Sequence, residues 1–192
     1  MFKLLINPSE AIDNAKARKS FGLSFLTCVL GALYLGISVF LIYFLPMRQP
    51  AQNSLMLALS VFVGVVVASF YSGWLLHVIM KTLVGKGTFW AGFTTRVYAM
   101  YIFSFAGLLA SILWVINLIL NNNLFTWGVY ALYALLGPIV LAQTFSTHLK
   151  AQKELYDTNM VTAIVGLFVL VMVGAFIAFA TSSILSQMLI RL

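Results

Sequence analysis

Five long apolar runs separated by short polar breaks organise the chain, near residues 21–45, 54–80, 97–120, 124–147 and 160–189. Each exceeds the roughly 18 residues needed to cross a hydrocarbon core of about 30 Å as a helix. The breaks hold residues that stop helices or favour water. The first carries Pro46, Arg48 and Pro50; the second Lys81, Gly85, Lys86, Gly87 and Arg96; the third Asn121, Asn122 and Asn123; the fourth is the polar run 150–159. The pattern predicts an all-α fold. Residues 21–192 form a polytopic membrane domain, a five-transmembrane-helix bundle.

Residues 1–20 read differently. Asn7 is placed to cap a helix that begins at Pro8, with Glu10 as its third residue. Lys16, Arg18 and Lys19 fall near the C-terminal end, where cations complement the helix dipole. The preceding stretch MFKLLI is apolar apart from Lys3. Together these predict a short helix at the cytoplasmic membrane interface, leading into the first span.

Composition agrees: 62% of residues are hydrophobic and 8% charged, where a soluble domain carries about 25% charged residues. Cys28 is the single cysteine, so no intrachain disulfide forms. Of eleven Lys and Arg, nine lie in the N-terminal segment and the second and fourth breaks; Arg48 and Arg191 lie on the other side. That asymmetry places the N-terminus in the cytoplasm and the C-terminus opposite. A net charge of +7 concentrated on one face suits anionic lipid head groups. It requires no nucleic acid.

Helix–helix attraction in lipid relies on close backbone approach at small residues. Such residues recur four apart at Ala32/Gly36, Gly64/Ala68/Ser72, Ser69/Gly73, Gly107/Ser111 and Gly174/Ala178/Ser182. The fourth span instead holds Gly137 and Pro138, which predict a kink.

The chemistry on offer is sparse. Gly85-Lys86-Gly87-Thr88 resembles the end of a phosphate-binding loop, but the required upstream glycine is Met80, and the segment follows a membrane span. It reads as a turn, with Lys81, Lys86 and Arg96 toward lipid phosphates, as with Lys16, Arg18 and Lys19. His77 and His148 are a candidate pair at one membrane level, but no cysteine or carboxylate completes a metal site, and no cofactor is implied. The four acidic residues, Glu10, Asp13, Glu154 and Asp157, all lie outside the spans, which argues against a carboxylate proton relay. No Ser–His–Asp, Cys–His or paired-carboxylate arrangement is present, so an enzyme is not expected.

A family resemblance rests on three features. These are the stretch Asn7-Pro8-Ser9-Glu10-Ala11-Ile12, the five spans, and His77, Lys81, Gly85, Lys86, Gly87, Thr88 and Phe89 after the second span. In these the chain resembles the Yip-domain membrane proteins, most of all the short prokaryotic type of the inner membrane. Eukaryotic members carry a long cytoplasmic region before the first span; only about twenty residues precede it here, so Rab binding is not carried over. The resemblance implies the fold, the topology and a role in organising membrane partners. The leading expectation is a non-enzymatic protein engaging lipid or membrane-protein partners through its basic cytoplasmic face. The alternative is a small transporter, channel or lipid-translocating protein. Its cavity or kink would involve Tyr98, Tyr101, Tyr133, Gly137 and Pro138.

Overall fold

The computed structural model describes residues 2–18, 20–45 and 49–190, with the backbone alone at 2, 3, 178 and 180–190. Lys19, Arg48 and Arg191 lie outside the described residues. The described chain forms α1 (Phe2–Ile6), α2 (Pro8–Arg18), α3 (Phe21–Phe44), α4 (Ala51–Val84), α5 (Phe89–Leu120), α6 (Asn123–Leu155) and α7 (Met160–Ile190). Five of these, α3 to α7, are long and apolar enough to cross a membrane. The protein is an integral membrane helix bundle.

Local sequence explains the ends. The amide of Glu10 donates to Asn7 Oδ1 at 3.3 Å, so α2 starts where the cap requires. Ser20 caps α3 by accepting from the amide of Leu23. Asn121 takes the left-handed conformation that ends α5 (φ 44°), and Asn122 Oδ1 then accepts from the amides of Leu124 and Phe125. Gly85 ends α4 at φ 72°, and Thr88 caps α5 through the amide of Ala91. The Gly-Lys-Gly-Thr tetrad is thus a helix stop followed by a helix start.

Two helices run further than the hydropathy pattern indicates. α5 begins at Phe89, eight residues before the expected 97. α6 continues to Leu155, past the expected 147. In both, residues with the polarity of loop material pack against other helices. Thr94, Thr95, Ala151 and Gln152 are all buried. Pro138 sits inside α6 without interrupting it.

α5 is the hub, packing on α3, α4 and α6. With α4, α6 and α7 it forms a ring: each helix touches its two neighbours, and neither diagonal pair has adjacent backbones. α3 lies outside the ring against α4 and α5, and α2 lies against α6. Ile12 is fully buried in that contact layer, and Gln143 Nε2 donates to the Leu5 carbonyl at 3.0 Å. The N-terminal helices are therefore docked on the bundle.

Small residues mark some crossings and not others. Gly36 packs on the Ala58 carbonyl, and Gly73 on the backbone of Phe93. Gly64 and Gly174 face open space, so two of the expected small-residue stripes form no helix contact at those glycines. Beside the Gly73 crossing, Phe21, Phe25, Phe70, Phe89 and Phe93 build a ring stack, with Phe70 and Phe93 centroids 4.6 Å apart. One buried polar bond ties α3 to α5, between the Ser24 and Thr94 hydroxyls at 2.7 Å.

Candidate functional site

α2, the α4–α5 turn and the α6–α7 turn meet at one end of the bundle, the basic end. Lys16 Nζ lies 3.6 Å from Glu154 and 3.7 Å from Asp157, and Lys153 lies 3.6 Å from Glu154. The Tyr156 ring packs against Gly87, which holds φ 113°. A side chain at Gly87 would collide with that ring and strain the backbone. Burial pushes the Tyr156 hydroxyl above its ordinary range, which keeps it a neutral donor.

The expected basic contacts divide into three groups. Lys81 and Lys86 are exposed beside the glycine turn and have no ion-pair partner among the described residues. Lys16 is exposed but offset by Glu154 and Asp157, whereas Arg18 is exposed at the end of α2. Arg96 differs from all of these. It is half-buried between helices, and its Nε donates to Ser72 Oγ at 3.3 Å. It is a component of the ring, set apart from the lysines of the surface.

Arg96 faces a polar layer that the hydropathy pattern alone does not assemble. Thr144, His148, Gln152 and Tyr156 follow one another at four-residue spacing on α6 and its C-cap, which aligns them on one face. Each carries a buried oxygen or ring nitrogen with no hydrogen-bond partner among the described residues. His148 is 3% exposed, and the charge of Arg96 is felt at its ring. Gln152 is close to the same ring, but its Nε2 is directed at Met80 Sδ, 2.8 Å away, across the ring of helices. The signal in the sequence is the repeat of four, but it crosses the edge between an apolar run and a polar break.

The two histidines are not brought together by backbone packing. His77 is on α4 and His148 on α6, and those helices are not neighbours. No cluster of three or more metal-ligating side chains occurs among the described residues.

The expected cavity residues also separate. Tyr133 and Gly137 line an apolar cleft of about 440 Å³ between α5 and α6, with Phe103, Leu113 and Leu136. The Tyr133 hydroxyl donates to the Ala110 carbonyl, so its proton is committed to the helix packing. Apart from the Tyr133 hydroxyl, the side chains of that lining are apolar. Tyr101 packs on Tyr34 at 5.7 Å between centroids. Tyr98 lines a different cleft, of about 320 Å³, formed with Leu4, Ala11, Asn14, Arg18, Leu23 and Thr27. Pro138 is exposed and lines neither.

The family model for the Yip1 domain matches residues 2–144. The match takes in the capped α2, the glycine turn after α4, and most of α6. No curated protein and no solved structure matches the chain. A match over that share of the residues, on a bundle of five membrane-crossing helices, makes the chain a member of the Yip1-domain family.

Proposed function

We propose that the protein is a non-enzymatic membrane organiser whose basic end faces the cytoplasm and gathers partners there, anionic lipid head groups first among them. The observation that carries this reading is the pair Lys81 and Lys86. Both are exposed and neither is ion-paired among the described residues; Lys81 is in the last turn of α4 and Lys86 is inside the turn held by Gly85 and Gly87. The helices support it. α4 has 34 residues and α6 has 33, where a bilayer needs about 20. The surplus of roughly 20 Å per helix lifts the helix ends toward or beyond the head groups. The localisation that fits is a prokaryotic inner membrane, and a membrane-protein partner would meet the same face.

The test is lipid selectivity. The purified full chain is reconstituted with spin-labelled phosphatidylglycerol or phosphatidylcholine, and the bound fraction is measured for each. Replacing Lys81 and Lys86 by Gln removes about 1 kcal/mol of attraction per lysine for the anionic lipid. Equal selectivity in wild type and double variant refutes the proposal.

A further inference from the structure

The cleft beneath the N-terminal helices has the chemistry of a lipid head-group site. Its walls come from four elements: Leu4 from α1, Ala11, Asn14 and Arg18 from α2, Leu23 and Thr27 from α3, and Tyr98 from α5. Arg18 and Asn14 are exposed at its rim, and no acidic residue lines it among the described residues. Tyr98 is 3% exposed and lines the cleft, with no hydrogen bond from its hydroxyl among the described residues.

Charge points the same way. Leu23 lies in the first turn of α3, where the helix dipole favours an anion, although its own amide is already bonded to Ser20. Arg18 adds a guanidinium whose fork matches phosphate oxygens. The remaining wall is apolar, from Leu4, Ala11 and Leu23. The volume of about 320 Å³ exceeds what a single phosphate ion needs and accommodates a glycerophosphate with the start of its chains.

We infer that this cleft binds the phosphate head group of an anionic phospholipid, with Arg18 and Asn14 on the phosphate, Tyr98 on the glycerol region, and Leu4 and Leu23 against the first acyl carbons. The site extends the proposed lipid role of the basic end but uses different residues from Lys81 and Lys86. Either reading can therefore fail while the other stands.

The experiment titrates the purified full chain in detergent with dihexanoyl phosphatidylglycerol and, separately, with inorganic phosphate, following thermal stability and tryptophan fluorescence. The lipid saturates the wild type, while inorganic phosphate binds at least tenfold more weakly. Arg18→Gln weakens the lipid at least tenfold. Tyr98→Phe, which keeps the buried ring, weakens it about threefold or more. Ala11→Phe fills the cleft from the docked α2 and abolishes saturation, giving a second reading if either other variant folds poorly. Three results overturn the inference: no saturation in wild type, inorganic phosphate binding as well as the lipid, or unchanged lipid affinity in all folded variants.

Discussion

One added methyl group at Gly73 tests the packing of the bundle. A Cβ there would stand 2.7 Å from Phe93 Cα and 3.0 Å from the Phe93 amide nitrogen. Carbon atoms pack at about 3.5–4.0 Å, so α4 and α5 must part by about 1 Å. The obstacle is backbone, so no rotamer change relieves it. The same face holds the Phe70–Phe93 stack and the Arg96–Ser72 hydrogen bond, which is already 3.3 Å long. Overpacking of this kind costs about 1–3 kcal/mol, and loss of a hydrogen bond from a charged group adds about 1.5–3 kcal/mol if its geometry breaks. Alanine's better helix propensity returns about 0.5–1 kcal/mol.

The net expectation for Gly73→Ala is a destabilisation of about 2 kcal/mol, near 30-fold in the folding equilibrium. Gly64 lies on the same helix, and a Cβ added there would meet nothing within 4 Å, so Gly64→Ala is neutral or stabilising by up to about 1 kcal/mol. The two variants have identical composition and opposite sign. Reversible unfolding in dodecylmaltoside–SDS mixed micelles, followed by tryptophan fluorescence and circular dichroism, measures both. A Gly73→Ala protein as stable as Gly64→Ala would refute the crossing.

Two further sets of variants probe the basic end. Ile12→Ala empties a fully buried position where α2 docks and costs about 2–5 kcal/mol locally; limited proteolysis of residues 1–20 accelerates while the spans stay folded, and an unchanged cleavage rate contradicts the docking. Gly87→Ala meets the Tyr156 ring at φ 113° and lowers the melting temperature, whereas Gly85→Asn, at φ 72° with nothing near it, is nearly neutral. Equal melting temperatures for that pair contradict the turn geometry.

Much of the fold is written in the hydropathy pattern. Each expected span lies almost wholly within one of the five long helices, because a run of twenty apolar residues has few other stable arrangements in lipid. The Asn7 and Asn122 caps and the Gly85 stop are legible for the same local reason: the residue types satisfy helix ends without tertiary help. Other features depend on neighbours. Arg96 and Lys86 look alike as cations in a polar break, yet Ser72 draws Arg96 inward while Lys86 stays exposed. Gly64 and Gly73 belong to similar small-residue repeats, and only the position of α5 makes one a crossing. Arg18 and Tyr98 are eighty residues apart, so their cleft exists only once α2 has docked.

If the basic end, and not the opposite end, is where this protein meets its partners, the two ends must differ in what they touch in the native membrane. Site-specific photo-crosslinking addresses this directly, with a photoreactive residue at position 86 in the glycine turn or at position 122 in the asparagine turn. Adducts of anionic lipid or of a discrete protein are expected from position 86, and only background from position 122. Equal capture from both positions, or capture from 122 alone, would contradict the assignment of the basic end as the partner face.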